Sequence, residues 1–218
     1  MRYVRYYRGG EPEPMITVQA NPKDLERILR KLQGLGKEAP KAIRTAVNDT
    51  AVSARKLLAQ QAQQQYTVKN GGFNKHAKIK KATLSKLAAT ISVHGKPLTQ
   101  PRYHTTAPKS GVKTEVLKGG GLKELVNSAG NKAFKAKVAT GSKNVKGTAD
   151  KQDKATAMIL QRVGKARYPM RSFHGPSVAK MIEKVYSGGQ VTDAGLKAEI
   201  ARLYQENLQK QIDKAVRG

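Results

Sequence analysis

A long stripe of small side chains constrains this chain more than any other feature. Ile43, Ala46, Val47, Thr50, Ala51, Ala54, Leu57, Leu58 and Ala62 recur at spacings of three and four, the period of one helix face. The helix begins near Pro40 and runs for about six turns. Alanine dominates the stripe, so its neighbour, a sheet or a second helix, comes close. The opposite face is polar and ends in Gln60-Gln61 and Gln63-Gln64-Gln65.

The remaining segments supply strands and further helices. Residues 1–15 form an added arm, basic and aromatic in "MRYVRYYRGGEPEP". Ile16-Thr-Val-Gln19 alternates like a short strand. Asn21-Pro22 is a helix-start signal, and Leu25, Ile28, Leu29 and Leu32 mark one face of that first helix. After Tyr66 the period becomes two. Leu87, Ala89, Ile91 and Val93 alternate with small or polar residues, as in a half-buried strand. Weaker strands are predicted at 112–117, 132–139 and 155–163. In the second of these Phe134, Ala136 and Val138 point one way, Lys135 and Lys137 the other. In the last, Met158, Ile159, Leu160 and Val163 suggest a central strand buried on both faces. Two basic stretches, 99–111 and 119–154, read as long loops, and 141–154 as a hairpin tip. A helix over 176–186 stops at Ser187-Gly-Gly189. Asp193 can cap the last helix, whose stripe is Leu196, Ile200, Leu203, Tyr204, Leu208 and Ile212. The expected fold is α+β: an antiparallel or mixed sheet packed by a long N-terminal helix and a C-terminal helix. Residues 16–218 are taken as a single domain.

Charge bounds the partners. The chain carries a net +27, and charge of that size repels itself unless a polyanion or acidic surface is near. Nucleic acid, an acidic protein and anionic lipid are the candidates. Between Tyr66 and Lys154 there are 19 Lys and Arg against 4 Asp and Glu, a difference of +15. Lys75, Lys78, Lys80, Lys81 and Lys86 are the densest cluster. With Lys135 and Lys137 they are the candidate DNA- or partner-facing residues. The alternative is a solvated sheet face. Lysine lacks the guanidinium fork that reads base edges, so a nucleic-acid partner would be held by its phosphates without sequence preference. With 38% apolar residues, three Phe and no Trp, the core must be mostly aliphatic. There is no Cys, which removes disulfides, thiolate metal ligands and a thiol nucleophile. No apolar run approaches the ~20 residues of a membrane span, and no secretory signal is evident. No membrane contact is expected.

Chemistry finds little support. His76, His94, His104 and His174 are not spaced as a helical metal pair. Glu115, Glu124, Asp150 and Asp153 are the only acids of the basic region, and Asp49 and Glu183 sit in helix patterns. There is no nucleophile elbow. Gly119-Gly-Gly121 lacks the Gly-Lys-Ser/Thr of a nucleotide loop. No enzymatic activity, metal or cofactor is expected. The stretch "RYPMRSFHGPSV", residues 167–178, reads as a structural corner. Gly175 supplies backbone freedom there, Pro176 opens a helix, and Phe173 packs beneath it against Val178, Met181 or Ile182. His174 is a turn or interface residue.

The small-residue helix is followed by "KIKKATLSKLAATISVHGKPL", then "ILQRVGKARYPM", then "FHGPSVAKMI" and a terminal helix. In this order of parts, and above all in "ISVHGKPL", "QRVGK" and "HGPSVAKM", the chain resembles the minor tail protein Z family of tailed phages, the tail completion proteins. The connection over 119–154 is longer than the family usually has, and the arm is additional. The resemblance implies a virion protein of the neck or upper tail, assembled in the host cytoplasm and without enzymatic activity. It implies an oligomeric ring, six copies by tail symmetry, docked to terminator or connector rings. A basic ring lumen around the DNA path follows as a hypothesis. A free, non-specific nucleic-acid-binding protein and another tail or neck subunit, such as a terminator, are the alternatives.

Overall fold

The structure, a computed structural model, describes residues 16–19, 26, 30, 38–69, 72–138, 156–188 and 196–217. The arm over 1–15 and the loop over 141–154 lie outside them. So do Asp193 and most of the first helix, of which Glu26 and Arg30 are described and helical. The fold is α+β with antiparallel strand pairing in every described sheet. The described residues divide into two compact units.

The first unit takes the described residues within 1–61, 72–95 and 182–218, so it draws on both ends of the chain. Strand β1 (Ile16–Gln19) and strand β2 (Ala77–Lys80) flank β3 (Ala88–Val93) in the order β1-β3-β2. Ile91 lies opposite both Ile16 and Ile79, and Ala89 opposite Val18. Period-two alternation puts Ala89, Ile91 and Val93 on the buried face. Helix α1 (Glu38–Gln65) buries Ile43, Ala46, Val47, Thr50, Ala51, Ala54, Leu58 and Ala62, the stripe read from sequence. A one-turn helix, α2 (Phe73–His76), leads into β2. The last helix, α4 (Lys197–Arg217), buries Ile200, Tyr204, Leu208 and Ile212. Thr50 is wholly buried on α1. Its hydroxyl donates to the Ala46 carbonyl at 2.7 Å and accepts from Asn207 Nδ2 of α4 at 3.0 Å. This polar pair fixes the register of two otherwise apolar faces.

The second unit comprises the described residues within 62–71 and 96–181. It is built of short strands: β4 (Pro97–Thr99), β5 (His104–Thr106), β6 (Lys113–Glu115), β7 (Lys123–Glu124), β8 (Phe134–Val138), β9 (Thr156–Arg162), β10 (Met170–Ser172) and β11 (His174–Ser177). They pair as β5-β6-β7, β10-β9-β8 and β11-β4. Val112, Ala133 and Ile159 form a buried cluster joined by Leu125 and Phe173. The stretch 99–111, expected as a loop, holds a 3-10 turn (Gln100–Arg102), strand β5 and the fully buried Tyr103. Polar residues do the core work here. Buried Gln100 accepts from the Thr114 hydroxyl at 3.0 Å through its side chain, and its carbonyl accepts from Thr105 at 2.7 Å. Strand β9 is central, as expected, but it is not buried on both faces. Ile159 and Gln161 are buried, Met158 and Leu160 half-buried, and Val163 is exposed beyond the strand end.

Helix α3 (Val178–Ser187) starts two residues later than Pro176. Ser177 explains the shift. Its hydroxyl accepts the Lys180 backbone N–H at 3.2 Å, the bond of an N-cap residue. Pro176 instead belongs to β11, which pairs irregularly with β4. The Tyr168–Pro169 peptide is cis.

Candidate functional site

The lysine cluster stands on a folded hairpin. In β2, Ala77 is buried and Ile79 half-buried, while Lys78 and Lys80 are exposed between them. Alternation puts the two lysines on one face of an edge strand. Lys75 is exposed in the α2 turn, and Lys81 and Lys86 are exposed in the β2–β3 connection. That connection is pinned. Asn48 of α1 accepts the Ala82 N–H at 2.8 Å and donates to the Ala82 carbonyl at 3.3 Å. Thr83 N–H donates to the Lys86 carbonyl at 2.9 Å, and the Thr83 hydroxyl accepts the Lys86 N–H at 3.1 Å. An open cleft beside it is lined by Arg44, Thr45, Asn48 and residues 81–85, with no carboxylate among them. None of the five lysines forms an ion pair with another described residue. Lysine on an edge strand also blocks unwanted strand pairing, a purely structural role that the same geometry serves.

Lys135 is exposed on β8 opposite Ile159, and Lys137 lies opposite Ala157; the Lys137 side chain falls outside the description. The fold brings Lys75, Lys78, Lys80, Lys81 and Lys86 together in the first unit. It places Lys135 and Lys137 in the second.

The corner over 167–178 is organised by a residue that sequence reasoning missed. Tyr103 is fully buried, and its hydroxyl donates to the Pro176 carbonyl at 2.7 Å. Burial, and then the neighbouring Tyr66, push its phenol well above the usual tyrosine range, so it stays a neutral donor. A Cβ on Gly175 would sit 2.5 Å from Tyr103 Cε2 and 2.7 Å from its hydroxyl oxygen. Glycine is needed for close approach of the ring, and its φ is not in the left-handed region. Phe173 packs on the cluster of Val112, Ala133 and Ile159. Arg171 lies over the Phe173 ring, 5.5 Å from its centroid, and donates to Gln161 Oε1 at 2.9 Å. His174 is exposed opposite Thr99.

One titratable pair also escaped the sequence. His104 and Glu115 face each other across β5 and β6, with Nδ1 2.9 Å from Oε2. The His104 hydrogen bond, aided by the Gly121 and Gly119 N–H groups against some desolvation, holds the Glu115 carboxyl below its usual value. Their only sequence signal is a spacing that pairs in register once both short strands exist. Among the described residues no three His, Cys, Asp or Glu side chains gather as metal ligands, and no helix is long and apolar enough to cross a membrane.

The family model for prophage minor tail protein Z (GPZ) matches residues 23–218. The chain belongs to this family. No curated protein and no solved structure matches it. As a Z-family member it is a phage tail structural protein, a virion component that meets other tail or neck proteins. The expected family resemblance is thereby established over nearly the whole chain. The buried corner at Tyr103 and Gly175 and the pinned lysine hairpin both fall within the Z-family match.

Proposed function

We propose that this chain is a tail-completion subunit at the head–tail junction, where copies of it assemble into a ring around the DNA path. In this role it breaks no covalent bonds. The observation that carries the proposal is the exposed lysine group on and beside a pinned hairpin, Lys75, Lys78, Lys80, Lys81 and Lys86, which form no ion pair among the described residues, inside a phage tail protein. Lysines held on ordered backbone hold phosphates by releasing counterions. Their lack of guanidinium forks suits a duplex that must slide past without sequence preference. Lys135 and Lys137 are assigned the same phosphate-facing role.

The test is DNA binding by the purified, assembled chain across a salt series. The logarithm of affinity should fall with the logarithm of salt by ~0.9 for each phosphate neutralised. Replacing Lys78 and Lys80 together by Gln should reduce that slope by about two, weakening all sequences alike. Binding insensitive to salt, or a slope unchanged in the double variant, would remove the DNA-path role. Mass measurement in low salt tests the ring. A chain that binds DNA as a stable monomer would favour the free nucleic-acid-binding alternative.

A further inference from the structure

The β9–β10 hairpin carries a second exposed group that no part of the DNA-path role uses. Val163 is 48% exposed and Tyr168 63% exposed at its tip. Arg162, Lys165 and Arg167 are exposed around them, and the Arg167 guanidinium lies 5.8 Å from the Tyr168 ring centroid. No Asp or Glu occurs between residues 154 and 182. At the foot of the hairpin, Phe134 is 37% exposed and lines a shallow cleft with Asn131, Lys132 and Arg162.

This tip is braced. Asn127 Nδ2 donates to the Arg162 carbonyl at 3.0 Å, and Asn131 Nδ2 donates to the Gly164 carbonyl at 3.0 Å. Asn127 Oδ1 accepts the Ala129 and Asn131 N–H groups at 3.0 and 2.9 Å, which locks the bracing loop in turn. Across the hairpin, Val163 N–H donates to the Pro169 carbonyl at 3.1 Å. Two side-chain amides thus hold a turn that presents apolar and cationic groups to solvent. Ordering of this kind lowers the entropy lost on association.

We infer that the β9–β10 hairpin tip is a protein-docking anchor: Val163 and Tyr168 enter an apolar pocket on a different tail or neck protein, and Lys165 and Arg167 meet carboxylates at its rim. Tyr and Arg are the residue types that dominate interface energetics. A phosphate backbone would use the cations and leave the Tyr168 ring and Val163 side chain without a role. A second copy of this chain is a poor occupant, since it has 15 acidic residues against 42 basic ones. Membership of a tail underlies the inference; the DNA-path proposal does not.

The test uses the full chain in assembled particles. Tyr168→p-benzoylphenylalanine is supplied to a phage lacking its own copy, and the particles are irradiated. The expected product is an adduct to a different tail or neck protein, mapped beside Asp or Glu. Reversing both charges, Lys165→Glu with Arg167→Glu, should lower incorporation about tenfold or more, as loss of an interface anchor does. Lys165→Arg with Arg167→Lys should retain it. Circular dichroism of the free variants separates loss of docking from loss of folding. An adduct to DNA, an adduct only to a second copy, no adduct at all, or normal incorporation of a folded charge-reversed chain would each overturn the inference.

Discussion

At the scale of single residues, the close contact between Gly175 and Tyr103 is the least replaceable feature of the second unit. An added Cβ would lie 2.5–2.7 Å from three atoms of the ring end, and that ring is fully buried, with its hydroxyl bound to Pro176. It has no open direction in which to give way. Gly175→Ala should therefore destabilise the unit by about 2–3 kcal/mol, the upper range for overpacking a core. Urea denaturation of the variant would measure it. Tyr103→Phe keeps the ring and removes one donor, so it should cost only about 1 kcal/mol, chiefly through the stranded Pro176 carbonyl. Gly175→Ala in a Tyr103→Ala background should lose most of its penalty, because the two changes share one contact.

At the scale of elements, legibility followed apolar periodicity. The strand Ile16–Gln19, the stripe of α1 and the face of α4 were readable because several apolar residues repeat at one period. Strand β2 was not, since only Ala77 and Ile79 interrupt its lysines. Strands β6 and β8 fall within the predicted 112–117 and 132–139, whereas β5 and β7, three and two residues long, lie in stretches that read as loops. The core of the second unit also rests on Gln100, Thr114, Gln161 and Tyr103. Polar burial leaves no hydropathy signal and depends on partners distant in sequence. The lysines of the candidate site were legible as composition; the hairpin that presents them, and the Tyr103–Gly175 contact, required the fold. Helix α1 gives the matching prediction. Ala54 has no exposed surface within its small-residue stripe, so Ala54→Leu should destabilise by about 1–3 kcal/mol despite raising hydrophobicity. A fall in the denaturation midpoint without a change of slope would report it.

At the scale of the whole molecule, the first unit joins strands near the start of the chain to a helix near its end. Helix α4 contributes four buried apolar residues and the Asn207 partner of Thr50. A chain stopped at Leu196 should leave the α1 stripe uncovered and Thr50 short of a partner. Amide exchange in residues 38–61 should then become fast, while residues 96–181 keep much of their protection. Equal protection of both segments in the shortened chain would refute that division. Synthesis runs from the N-terminus, so the first unit cannot close its core until Ile212, the last buried residue of α4, has emerged from the ribosome. The half of the molecule that opens the chain is thus the half that must wait for its end.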